Sequence, residues 1–275
     1  MEYIRPEKIE DISRLSDGRE TWYLAGGTDI MVMRKERELQ ERPLIDISGF
    51  SELKEIRQSN GVIEIGALVT MSQLESSPVI RERAAALAQA ASEMGSPLIR
   101  NLATIGGNIA NSNPAGDTIP ALTVLDAELV LRRGTREREV PADGFCTAPG
   151  CNVLEPGEII TAFRIPVLEG SRSSFMKIGP RGALSVSKVS LGAWWFVSER
   201  KIVDIRIAPG AVGPRCQRVS RTEKLLKGSV LDPAVIEKAA EKIQIEVSPI
   251  DDYRSSADYR RAMTGVLLKR ILTGR

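Results

Sequence analysis

A two-part chain of mixed helices and strands is the fold class that the sequence predicts, and three observations carry it. Near the start, a short apolar strand runs into a glycine pair and then a helix-compatible stretch. A second glycine pair follows a long run of helical apolar spacing. Beyond residues 166–174, which read as a linker between domains, the pattern changes to antiparallel strands and amphipathic helices.

In the first part, Thr21-Trp22-Tyr23-Leu24 forms the opening strand, Ala25-Gly26-Gly27-Thr28-Asp29 the turn, and Ile30 to Leu39 the helical run. Leu44 to Ile47 and Val62 to Leu68 follow as strands, favoured by their apolar residues and flanking glycines. Pro78 to Met94 reads as one long helix, because Ile80, Ala84, Leu87, Ala88, Ala91 and Met94 recur at helical spacing and Pro78 suits the first turn. The second glycine turn, Thr104 to Asn108, leads into a loop of small and amide residues from Ile109 to Asp117, with a helix expected near Thr118. Strands are expected at Glu128 to Leu131 and Ile159 to Ile165.

In the second part, Val186 to Val197 and Ile202 to Ala208 read as antiparallel strands joined by the charged turn Ser198-Glu199-Arg200-Lys201. Asp232-Pro233 gives an N-cap and a first-turn proline for a helix over Ala234 to Ile243. A last helix carries one apolar stripe through Tyr259, Ala262, Met263, Val266, Leu267 and Ile271, read as packed core in preference to a partner groove.

Composition excludes several kinds of chemistry. The 275 residues, 42% hydrophobic and 27% charged, suit a globular chain with a sizeable core, and no apolar run approaches the roughly 20 residues of a membrane span. No targeting pattern is visible at Met1-Glu2-Tyr3-Ile4-Arg5-Pro6, so the expectation is a cytoplasmic protein. A net charge of +2 without an aromatic-laced basic patch argues against nucleic acid as the main partner. The chain has no histidine, which removes the commonest neutral-pH acid/base, every histidine metal site and a histidine-linked flavin. Three scattered cysteines, Cys146, Cys151 and Cys216, cannot supply the four ligands of an iron–sulfur cluster. Redox chemistry would need an organic cofactor, and no catalytic side chain or metal ligand is assigned.

Glycine pairs let backbone amides approach an anion closely, and a following helix adds its N-terminal amides and dipole. Paired glycines are also ordinary turn formers. Two such segments with Thr28, Thr104 and Asn108 beside them suit the two anionic centres of a pyrophosphate, and neither matches a dinucleotide-fold or P-loop motif. Asp117 is open to two readings, a ribose or amide contact and a helix cap at Thr118. Asp29 reads as an N-terminal helix acid. Lys177 is either a contact to a ring carbonyl or phosphate, or a solvated lysine beside a strand.

The stretch from Tyr23 to Ile30, then Arg100 to Ala110, then Asn113-Pro114-Ala115-Gly116-Asp117, resembles the FAD-binding signature of the molybdenum hydroxylases, the xanthine dehydrogenase and carbon monoxide dehydrogenase family. Ser174 to Gly179 and the helix at Tyr259-Arg260-Arg261 resemble the small C-terminal domain of that family's flavoprotein subunit. The resemblance implies an α+β fold: a PCMH-type FAD-binding domain of two α+β subdomains over 1–168, then a C-terminal domain over 169–275 with a three-stranded antiparallel sheet and helices. It implies noncovalent FAD, held at Tyr23, Leu24, Ala25, Gly26, Gly27, Thr28, Asp29 and Ile30. Thr104, Ile105, Gly106, Gly107, Asn108 and Asn111 would complete the pyrophosphate and ribityl site, with Asp117 as a further polar contact and Ile160 and Lys177 at the flavin end. Met94 stands where some relatives have an aromatic, so a thioether would replace ring stacking there. The implied partners are an iron–sulfur subunit, a molybdenum-cofactor subunit, and NAD or another electron acceptor. The missing four-cysteine insertion sets the chain apart from benzoyl-CoA-reductase-type relatives.

Two other functions use the same residues. A stand-alone NAD(P)H-dependent FAD reductase, like the cell-wall enolpyruvyl reductases, would need its own substrate pocket and proton donor. A non-catalytic nucleotide-binding module would need only the glycine segments.

Overall fold

The computed structural model describes residues 2–16, 21–35, 42–182 and 184–274. β1 (Tyr3–Ile4), α1 (Ile12–Ser16), β2 (Trp22–Leu24), α2 (Ile30–Lys35) and β3 (Leu44–Asp46) open the chain. Their strands make a parallel sheet of order β1-β3-β2, so β2, α2 and β3 form a crossover unit. The helix expected from Ile30 to Leu39 is described as far as Lys35, and its last four residues lie outside the described residues.

β4 (Ile56–Ser59) and β5 (Val62–Gly66) begin a second, antiparallel sheet. The chain then leaves it for six helices before returning: α3 (Met71–Ser76), α4 (Pro78–Arg83), α5 (Ala85–Ser92), α6 (Pro97–Arg100), α7 (Ile105–Ala110) and α8 (Thr118–Val124). The long helix expected over Pro78 to Met94 is two helices. Ser77 caps α4 and Pro78 takes its first turn as expected, but Ala84 leaves helical geometry at φ −136° and ψ 47°. The amide freed at Ala86 donates to Ser173 Oγ at 3.1 Å, a tertiary bond that spacing alone does not reveal.

β6 (Glu128–Arg133), β7 (Arg136–Pro141), the small hairpin β8 (Cys146–Ala148) and β9 (Cys151–Asn152), and β10 (Ile159–Pro166) follow. The completed sheet has the order β4-β5-β10-β6-β7, with Phe163 of β10 opposite both Ile65 and Leu129 at the centre. Ile63, Ile65, Leu129, Leu131 and Phe163 are buried against the helices. The opposite face is charged. Arg164 there binds Glu64 at 3.0 Å and also Glu139, which covers the outer surface with cross-strand pairs.

β11 (Arg172–Ile178), β12 (Val189–Ser198) and β13 (Lys201–Gly210) form the antiparallel three-stranded sheet expected for the second part. β11 starts inside the stretch expected as linker, at Arg172, two residues before its end. β12 begins three residues later than expected, and its alternation is masked because both faces are covered: Val189, Leu191 and Ala193 meet the C-terminal helices, while Trp194 joins the core of the first part. Gly192 permits this, since a Cβ there would stand 2.8 Å from the Pro120 carbonyl oxygen of α8. Glu199 and Arg200 at φ 50° and 66° make the tight hairpin turn without glycine. Asp232 caps the helix Pro233–Glu246 by accepting from the Val235 amide at 2.8 Å, as expected. The last helix, Ala257–Thr273, buries Leu267, Leu268 and Ile271 in the second core, but Tyr259 and Ala262 of the stripe expected there are exposed, because Arg260, bonded to the Lys188 and Ala211 carbonyls and to Asp252, and Thr264 take the inward positions at that end.

Cys146 and Cys216 are buried and Cys151 is exposed, and burial pushes the Cys216 thiol up to about 12. The native chain should therefore take a maleimide label at Cys151 alone, and the urea-unfolded chain at all three cysteines. Peptide mass mapping that finds label on Cys216 of the native protein would contradict the packing described here.

Candidate functional site

An open cleft of about 760 Å³ runs between the two glycine segments and reaches the start of β12, within the roughly 300–1,000 Å³ range of cofactor-sized sites. Its first wall is the β2–α2 turn. Gly27 takes φ +75°, and the amides from Ala25 to Asp29 donate to no other described residue. Five successive N–H groups without a described partner at the rim of a cleft have the arrangement that suits an anion. A Cβ on Gly26 would collide with the Leu102 carbonyl oxygen, so only glycine lets this turn press against the segment leading to the second pair.

The second pair is built differently from expectation. It is no turn but the first turn of α7, capped by Thr104. The amides of Ile105, Gly106 and Gly107 are already taken by Val69 O at 3.0 Å, Ala67 O at 2.9 Å and Thr104 Oγ1 at 3.1 Å. Gly106 is a packing residue, since its Cβ would lie 2.7 Å from Ala67 O. The expected loop after it is helical as far as Ala110.

Of the residues proposed from the first segment, Tyr23 and Ala25 to Ile30 line the cleft, and Leu24 packs behind them on Ile30 and Leu44. Met94 forms part of the facing wall. Thr104, Gly107, Asn108, Asn111 and Asp117 also line it. Asn111 donates to Asp29 Oδ2 at 2.9 Å and so ties the two segments together. Ile105 and Ile160 are buried in the core, and Gly106 and Lys177 sit behind the lining. No arginine or lysine is among the cleft's described lining residues.

Three comparisons bear on this geometry. Residues 1–168 match the family model described as the FAD binding domain in molybdopterin dehydrogenase, and residues 174–274 match the carbon monoxide dehydrogenase flavoprotein C-terminal domain. The chain belongs to the family of FAD-binding subunits of the molybdenum hydroxylases. The carbon monoxide dehydrogenase medium chain of Hydrogenophaga pseudoflava is 33% identical over 98% of this chain and 95% of its own. The xanthine dehydrogenase FAD-binding subunit of Escherichia coli O157:H7 is 30% identical over 98% and 94%. A solved structure of the Hydrogenophaga pseudoflava carbon monoxide dehydrogenase, in a form lacking the Mo-pyranopterin moiety, superposes with a TM-score of 0.94 at 31% identity, over 98% of this chain and 95% of that one. FAD is accordingly the cofactor of this oxidoreductase subunit, and the cleft fits it: unpaired amides for an anion at one wall, apolar and amide side chains elsewhere.

Within this FAD-binding subunit, Asp117 is neither a helix cap nor a free loop acid. It precedes α8 but makes no cap bond, and its two oxygens accept from Lys177 Nζ at 2.7 Å and Ser187 Oγ at 2.6 Å. The Lys177 ammonium, 7% exposed, also donates to Glu93 O at 2.7 Å and Ser185 O at 3.3 Å. Burial holds the Asp117 carboxyl above the usual carboxylate range, with Lys177 and Ser187 offsetting only part of the rise. Lys177 is thus buried and paired, not solvated.

Sequence reasoning missed Leu184, Ser185 and Val186, which line the cleft from the loop before β12, and Gly95 and Ile99 on the facing wall. Leu184 to Val186 carry no local motif and reach the site only because β11 and β12 pack on α5 and α8. The chain also has no described helix long and apolar enough to cross a membrane.

Replacing Asp117 by Asn would leave the Lys177 ammonium buried without a counter-charge, a loss of about 3–5 kcal/mol in urea unfolding of the cofactor-free chain. Adding Lys177→Met should recover much of that loss. A single Asn variant as stable as the wild type would show the pair to be solvated.

Proposed function

We propose that the chain is the flavin-bearing relay of a molybdenum hydroxylase complex, receiving electrons from an iron–sulfur subunit served by a molybdenum-cofactor subunit, and delivering them to NAD or another acceptor. The observation that carries this reading is the run of unpaired amides from Ala25 to Asp29 at the rim of the cleft, which supports a pyrophosphate there. Bound FAD supplies both one-electron and hydride chemistry, so the polypeptide has to bind, orient and shield it. Thr28, Thr104, Asn108 and Asn111 offer hydrogen bonds along the cofactor's length, and Met94 offers a polarisable surface for the ring. With no histidine in the chain, FAD is held without a histidine linkage. The division into a FAD-binding part over 1–168 and a C-terminal part over 169–275 belongs to the same proposal.

The relatives named as medium chain or FAD-binding subunit support a heteromeric role for this chain. Three cysteines and no histidine in the sequence leave iron–sulfur and molybdenum chemistry to other subunits. Acid precipitation of the purified chain should release all of its flavin, and flavin left on the washed pellet would contradict noncovalent binding. Under anaerobic conditions, an artificial donor or NADH should bleach the flavin of the chain alone, whereas a hydroxylation substrate should do so only with the partner subunits present. Substrate-driven bleaching of the isolated, metal-free chain would overturn the relay assignment in favour of a stand-alone reductase.

A further inference from the structure

We propose that Arg100 is a positioning residue that holds the Met94–Gly95 wall of the cleft in place for the cofactor; the proposal rests on the FAD reading above. The wall belongs to a strap running from the end of α5 to the cap of α7. Gly95 reverses the chain at φ +49°, and a Cβ there would lie 3.0 Å from Ile99 Cγ2, so the strap folds tightly on itself. Hydrophobic burial anchors only its ends, at Met94 and Ala103. Leu98, Ile99 and Leu102 are 77%, 40% and 58% exposed.

A polar clasp holds the part between. Arg100 Nε donates to Glu75 Oε2 of α3 at 2.8 Å, and its Nη1 donates to the carbonyls of Met94 and Gly95 at 3.3 and 3.4 Å. Those carbonyls lie just past the C-terminus of α5, where a cation is favoured and acceptors lack helical partners. The guanidinium fork reaches a carboxylate and two carbonyls at once, which one ammonium cannot do with the same geometry. The Arg100 side chain is 15% exposed while its partner Glu75 is 37% exposed, and Arg100 does not itself line the cleft. Its influence on the cofactor therefore passes through Met94 and Gly95, which do line it. The far end of the strap presses the Leu102 carbonyl against Gly26, so the strap also fixes the distance to the unpaired amides on the opposite wall.

The test uses the full chain with three variants: Arg100→Met, which keeps the aliphatic stem, Arg100→Lys, which keeps the charge, and Arg83→Met, which breaks the exposed Arg83–Glu169 pair as a control. Titration with FAD, visible circular dichroism of the bound flavin, and melting of the cofactor-free chain are measured for each. Arg100→Met should raise the dissociation constant for FAD about tenfold, because the wall loses the three hydrogen bonds that hold it, and weaken the flavin dichroism, with cofactor-free stability falling by less than the loss in binding. Arg100→Lys should fall between it and the wild type, and Arg83→Met should match the wild type. Arg100→Met binding FAD with wild-type affinity and dichroism would sink the positioning role alone. A loss of affinity matched by an equal loss of cofactor-free stability would make Arg100 a plain scaffold residue. A wild-type chain that takes up no FAD would overturn the cofactor reading and the proposal with it.

Discussion

The buried pair between Asp117 and Lys177 is the interaction on which the cleft depends. Taking both charges out of water costs several kcal/mol each, repaid only if every remaining lone pair and proton is satisfied. Here they are. Lys177 has three acceptors and each Asp117 oxygen has a donor. The pair's partners come from the end of α5, the start of α8, β11 and the loop before β12, so satisfying it brings four separated segments to one point. Each of those segments except β11 supplies lining to the cleft, through Met94, Asp117 itself, and Ser185.

Close backbone approach is the second constraint, and the two glycine pairs meet it in different ways. At Gly26 and Gly27 the missing side chains allow the turn to lie on the Leu102 carbonyl while leaving successive amides open. At Gly106 the same absence lets α7 sit directly on Ala67, and the amides are consumed in doing so. Similar sequence therefore leaves amides open in one place and makes a packing joint in the other. The decisive difference is whether a carbonyl lies within reach of the N–H groups, and that is a tertiary fact.

This difference marks where the sequence was legible. The strand, turn and helix around Gly26-Gly27 are local, as is the Asp232-Pro233 cap, and each stands where pattern placed it as far as the residues are described; the terminal helix forms, but Tyr259 and Ala262 of its expected stripe are exposed while Arg260, Thr264 and Leu268 are buried. The α+β fold and its C-terminal three-stranded sheet agree with what the family resemblance implied. The break at Ala84 was illegible because its compensation, Ser173 Oγ, lies 87 residues away. The fate of Asp117 was illegible for the same reason: capping and pairing cost the same local sequence, and only the arrival of Lys177 and Ser187 from the second part decides between them. β12 was blurred because strands covered on both faces lose the alternation that identifies them.

The electrostatics of the cleft follow from these arrangements. Its described lining carries no basic side chain, and the nearest ammonium is neutralised by its own carboxylate, so the wall there presents a dipole instead of a net charge. An anion placed there would meet amide dipoles, which fix position without the long-range field of a lysine or arginine. A net positive charge beside a redox group would stabilise its more negative reduced state and hinder onward transfer. A wall that presents dipoles and keeps the buried Lys177 paired avoids that bias at a bound flavin.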